Sequence, residues 1–194
     1  LTSRQGGTLN IPDGDYVLGT TDGNQRDPNY RGLTLSSGIN IIGAGANSSV
    51  PSTNLPNRFS PTRLRLRNSN QAIFRIGGCT NQVSIRGLEL VGNAELANEA
   101  KRDTTGNYGI EGIGMWAKNA RTGAEAANSS QMIRFENLTI QGMDKGIFVH
   151  NINDDNCNDK IQACKQWHFD YVRVESSMFL NNKTGIWIDT QNTD

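Results

Sequence analysis

The sequence predicts an all-β chain wound as a parallel β-solenoid of about five coils, with long loops inserted between short strands. Three observations carry this expectation. Short blocks with period-two apolar alternation recur along the chain, and long helical patterns are hard to find. Two of these blocks return 39 positions later: Ile133–Ile140 matches Val172–Phe179, and Gly146–His150 matches Gly185–Asp189. Finally, 21 glycines and 23 asparagines supply residues that tolerate the positive φ of tight turns.

The elements follow in chain order. Ile39–Gly43 and Val83–Leu90 are earlier copies of the Ile133–Ile140 block. Ala72–Ile76 and Gly112–Trp116 are earlier copies of the Gly146–His150 block. Between Phe135 and Leu138 the pair Glu136-Asn137 is expected to form a two-residue turn, because asparagine accepts the left-handed region. Isolated hairpins would not repeat a whole unit with its strand order kept. Stacked coils would, with equivalent strands parallel and about 4.8 Å apart. Ile147 then stacks on Ile186, and Val149 on Ile188, as β-branched side chains favour. Polar insertions rich in Asn, Gly, Ala and Asp fall at 19–31, 45–62, 93–108, 117–130 and 151–167. Such loops on a rigid scaffold are common carriers of function.

Length and composition bound the rest. The 194 residues make one domain, 1–194. Nineteen basic and nineteen acidic residues balance, which argues against a nucleic-acid partner. No run of 18 apolar residues is present, so no membrane span is expected. The chain opens at Leu1 without a leader pattern, as expected of a processed chain or a fragment. Cys157 and Cys164 share one polar stretch and either bridge locally in an oxidising compartment or stay as thiols; Cys79 stands apart as a small hydrophobe. No cysteine spacing suits zinc, and no metal site is assigned. The Asp-rich stretch Asn151–Asp159 has oxygen donors suited to calcium but lacks EF-hand spacing, and reads first as a solvated loop. Four N-x-S/T sequons stand at Asn47, Asn128, Asn137 and Asn182.

The opening Gly6-Gly7-Thr8-Leu9-Asn10-Ile11-Pro12-Asp13-Gly14-Asp15-Tyr16, with the later Ile133–Ile140 and Gly146–Val149 patterns, resembles the right-handed parallel β-helix proteins of the pectate-lyase-like superfamily. The resemblance spans nearly the whole chain and implies a fold more than a chemistry, since that superfamily holds lyases, hydrolases, tailspikes, adhesins and structural proteins. It implies an extracellular or cell-surface location and a polysaccharide partner. Only Leu1–Gln5 precede the Gly-Gly-Thr strand, and Asp194 follows the Ile186–Asp189 strand closely. A capping helix is therefore not expected, and the domain reads as a fragment of a longer β-helix or a subunit that stacks end to end.

By the same resemblance, a substrate groove lies on the sheet of Gly-Ile-x-Ile strands. Alternation sends Gly114, Phe148 and Trp187 outward in one row, and Trp116, His150 and Asp189 in the next. Trp116, Phe148 and Trp187 are the candidate sugar platform, with Arg75 beside them; the alternative is that the long loops cover them as a satellite core. A lyase would need a lysine or arginine base and a cation, often calcium, against a uronate carboxylate. Lys145, Lys183 and Arg75 lie on or beside the sheet. A hydrolase would need paired carboxylates, for which Asp189, next to His150, is best placed, with Asp144 in the preceding turn. The candidate catalytic set is thus Asp189, His150 and Lys145. Trp187-Ile188-Asp189 lacks the histidine that follows in pectate lyases, since Thr190 stands there. Asn192-Thr193-Asp194 follows the strand that the polygalacturonase motif should precede. The expected function is polysaccharide binding or processing outside the cell; the alternative is a non-enzymatic surface fibre, adhesin or filament subunit.

Overall fold

The computed structural model describes residues 6–19, 32–46, 61–66, 72–76, 80–92, 111–116, 130–150 and 169–189. For the strand residues 111–116, 130, 131, 150, 169, 170 and 189 it describes the backbone alone. Cys79, Cys157, Cys164, the Asn151–Asp159 loop and the sequons at Asn47 and Asn128 lie outside the described residues.

The described residues form thirteen strands and no helix. In chain order these are β1 (Gly7–Ile11), β2 (Gly14–Leu18), β3 (Leu33–Leu35), β4 (Ile39–Gly43), β5 (Thr62–Leu66), β6 (Ala72–Ile76) and β7 (Val83–Val91). There follow β8 (Glu111–Trp116), β9 (Ser130–Gln141), β10 (Lys145–His150), β11 (Phe169–Glu175), β12 (Met178–Leu180) and β13 (Thr184–Asp189). Every pairing among them is parallel. An eight-stranded sheet contains two ladders, β1-β4-β7-β9-β11 and β2-β5-β7-β9-β12, with β7 and β9 long enough to serve both. The second sheet is five-stranded, in the order β13-β10-β8-β6-β3.

The expected strands are present, and the 39-residue repeat appears directly in the register. Ile147 pairs with Ile186, and Val149 with Ile188. Two strands carry no expectation from the sequence. The three residues of β3 are too few to show alternation. The β5 segment Thr62-Arg63-Leu64-Arg65-Leu66 follows a proline-spaced stretch and abuts the expected 45–62 loop. Its period-two pattern is nevertheless clear, with Leu64 and Leu66 buried and the arginines half-exposed.

The expected turn at Glu136-Asn137 is a bend inside one continuous strand. Glu136 still pairs with Arg86 and Glu175, and Leu138 with Leu88, so the ladder is not interrupted. The direction changes at Asn137 alone, whose φ is +50°. Gly87 (φ +66°) and Ser176 (φ +47°) hold the equivalent places one rung away on either side. A second such column is Gly142 and Asn181, and a third is Gly38, Gln82, Met132 and Tyr171. One left-handed residue turns the chain without using up a backbone hydrogen bond, so corners can stack on corners.

Side chains close the corners between rungs. The fully buried Thr62 hydroxyl donates to Pro12 O at 2.9 Å and accepts from Ala44 N at 2.7 Å. Asn182 Oδ1 accepts from Met143 N at 2.9 Å, while its Nδ2 donates to Ile140 O at 2.8 Å. Each such bond satisfies a backbone group that a corner would otherwise leave unpaired.

One apolar core lies between the two sheets. Ile41, Ile85 and Phe135 stack in register along the first ladder, Leu64, Leu90 and Ile140 along the second, and Phe74 and Ile147 belong to one column of the five-stranded sheet. Burying each of these side chains contributes about 1.5–3 kcal/mol. The middle rungs are dry and the edge rungs are not: in the core columns Leu9 and Leu33 on one side, and Ile186 and Ile188 on the other, are exposed.

Candidate functional site

The five-stranded sheet brings the predicted residues together. Register aligns Thr34, Arg75, Gly114, Phe148 and Trp187 across β3, β6, β8, β10 and β13. Trp116, His150 and Asp189 align in the row two residues further along. All seven candidate site residues therefore lie on one sheet, six of them in two adjacent outward rows of the expected pattern and Lys145 at the start of β10. For Trp116, His150 and Asp189 this backbone placement is what is described.

Three side chains of the set are in contact. The Phe148 and Trp187 rings meet edge to face, with centroids 6.4 Å apart and planes at 82°. Lys145 Nζ lies 4.5 Å from the Phe148 centroid and 5.5 Å from that of Trp187. Its other partner is the nearly buried Asp144 carboxylate, with Nζ 2.9 Å from Oδ2. Asp144 is fixed in turn, because its backbone carbonyl accepts from Thr184 N at 2.9 Å. A lysine held over two ring faces and against a carboxylate gains cation–π attraction of about 0.5–2 kcal/mol.

The two aromatics play different parts. Phe148 is 7% exposed and packs as a support, whereas Trp187 is 46% exposed. Of this row, Phe148 is thus buried and the Trp187 indole is half-exposed. Arg75 is half-buried, its side-chain stem close against the Gly32 backbone on the β3 side. Chemically, the arrangement offers a half-exposed indole flanked by an ammonium group and a carboxylate. Among the described residues no group of three His, Cys, Asp or Glu could hold a metal ion.

The eight-stranded sheet holds a second charged group that the sequence reading missed. Glu89, on β7, is fully buried, and its Oε2 accepts from Arg63 Nη2 at 2.9 Å and Nε at 3.0 Å. Its Oε1 accepts from Gln141 Nε2. Asp15 pairs with both Arg63 and Arg65, so charges of alternating sign run across β2, β5 and β7 in register. The signal lay in Leu88-Glu89-Leu90 and Leu64-Arg65-Leu66, where single charges alternate with core leucines. Glu89 is closed in by its partners, which suits a structural part.

No family model, curated protein or solved structure matches the chain. Among the described residues no helix is long and apolar enough to cross a membrane.

Proposed function

We propose that the chain is a right-handed parallel β-helix of the pectate-lyase-like kind, acting outside the cell, and that the outer face of its five-stranded sheet binds polysaccharide. The observation that carries this reading is the half-exposed Trp187 indole with Lys145 and Asp144 beside it. Sugar rings present apolar C–H faces that stack on an aromatic surface, while their hydroxyl and carboxylate groups need charged partners. Parallel rungs about 4.8 Å apart would track an extended chain along successive strands. Asp189 and His150, paired in register at the end of β10 and β13, are the groups proposed for processing of the bound glycan, with Lys145 as the third.

Binding is tested by titrating acidic and neutral polysaccharides into the chain, with and without calcium, and comparing Trp187→Ala and Lys145→Ala with wild type. Each variant should weaken binding about tenfold, equal to about 1.4 kcal/mol, with the far-ultraviolet spectrum unchanged. Equal affinity in both variants would remove this face as the site. Asp189→Asn should abolish release of new chain ends while keeping affinity; unchanged turnover would remove Asp189 as a catalyst.

A further inference from the structure

Given the polysaccharide reading above, on which this rests, we infer that the Trp187 face takes an uncharged glycan and that Asp144 sets this selectivity by cancelling the charge of Lys145. Lys145 Nζ stands 2.9 Å from Asp144 Oδ2, and the two side chains are only 18% and 7% exposed. A pair so close and so little wetted is weakly screened by salt and presents little net charge to a ligand beside it. A uronate carboxylate arriving at the indole would meet the ammonium and the Asp144 carboxylate together, so repulsion from one offsets attraction to the other. It would also give up its own hydration, which a hydroxyl group loses far more cheaply. The ammonium carries three N–H donors, of which Asp144 accepts from one. The other two suit the lone pairs of sugar hydroxyls, while the indole takes the apolar face of the ring.

The neighbouring residues do not restore a positive field. Register places Glu111 beside Lys145 on β8, and Asp189 two positions beyond Trp187 on β13. Lys183, in the turn that leads into β13, offsets one of these acidic residues. Arg75 shares the row of Trp187 but stands three rungs away, about 14 Å at 4.8 Å per rung, which is further than the Debye length of about 8 Å in physiological salt. Across the chain 19 basic and 19 acidic residues cancel, so no net charge draws a polyanion towards this face. Asp144 is held by its backbone as well, its carbonyl accepting from Thr184 N at 2.9 Å. That bond does not involve the carboxylate, so Asp144→Asn removes the negative charge and keeps the turn.

The test titrates a neutral β-linked glucan and a polyuronate of matched length into the 194-residue chain by calorimetry, at low and at high salt. Wild type should bind the glucan about tenfold more tightly than the polyuronate, with an affinity that salt leaves unchanged. Asp144→Asn should raise polyuronate affinity about tenfold, and high salt should remove that gain. Adding Lys145→Gln to Asp144→Asn should remove it as well, because the ammonium that provides it is gone. Wild type that binds the polyuronate as tightly as the glucan would overturn the inference and leave the polysaccharide reading standing. So would a folded Asp144→Asn variant with wild-type polyuronate affinity, or a double variant that keeps the gain. Wild type that binds neither polymer would overturn both. If Asp144→Asn fails to fold, the wild-type preference and its salt profile decide alone.

Discussion

Glu89 and Arg63 show how much one pair can decide at the residue scale. The carboxylate is fully buried, and Arg63 covers it through two nitrogens within hydrogen-bond distance. Deleting one partner of such a pair leaves the other's charge unpaired in a dry setting, a loss of about 3–5 kcal/mol when both groups are buried. Arg63 retains some exposure, which places Arg63→Met at about 3 kcal/mol of lost stability. Chemical denaturation should report this as a lower midpoint with the slope unchanged. Adding Glu89→Leu to Arg63→Met should return part of the loss, because the uncompensated charge is then gone. A double variant no more stable than Arg63→Met alone would mean that packing, not charge, sets the cost. The exposed neighbours make a useful contrast. Arg134, which contacts Glu136 and Glu175 at 3.3 and 2.9 Å, is half-exposed, and its pairs stabilise by well under the buried figure.

Among the elements, the corners are the places where sequence and backbone disagree most. Tyr171 and Met132 both adopt φ of +57°, a region that costs an ordinary L-residue about 1–2 kcal/mol. Tyr171 is also exposed, so its side chain offers little packing in return. Tyr171→Gly should therefore stabilise the chain by about 0.5–1 kcal/mol, and Tyr171→Val should destabilise it, since a β-branched residue suits this region least. Thermal unfolding of the two variants beside wild type measures both signs; a valine variant as stable as the glycine one would refute the corner argument. The same corners explain what was legible in advance. The ladder of Ile147 on Ile186 and Val149 on Ile188 was readable because β-strand alternation and a fixed offset leave a mark on every second residue. The bend at Asn137 was readable as a turn because asparagine advertises it, though not as a bend within one strand. Gln82, Met132 and Tyr171 gave no sign, because there the register of the neighbouring rungs imposes the conformation over the residue's own preference. At the candidate site, the rows of Phe148 with Trp187 and His150 with Asp189 followed from alternation alone. The burial of Phe148 and the grip of Asp144 on Lys145 depend on side-chain contacts across sequence neighbours and rungs, which periodicity does not encode.

Among the described residues every strand pairs in parallel with strands of the adjacent rungs, and nearest-neighbour stacking of this kind makes stability close to additive along the stack. The burial record already shows the gradient. Ile85, Leu88, Leu90, Ile133, Phe135 and Ile140 on β7 and β9 are all fully buried, while Leu9 on β1 and Ile188 on β13 stand exposed. An interior rung has partners on both sides, and opening it severs two sets of parallel hydrogen bonds and uncovers two apolar faces. An outer rung of the described stack loses one of each. Opening free energies should then rise from the outer rungs towards the middle, with local fraying at the edges well below the global value. Native-state hydrogen exchange in dilute solution measures this residue by residue. Amides of β7 and β9 should exchange last and close to the rate set by global unfolding, those of β10 earlier, and those of β1, β3 and β13 first. Low denaturant should accelerate the edge strands before it touches β7. A single common opening energy for all thirteen strands would mean that the chain unfolds as one unit, and that contacts between the rungs are coupled more tightly than nearest-neighbour stacking supplies.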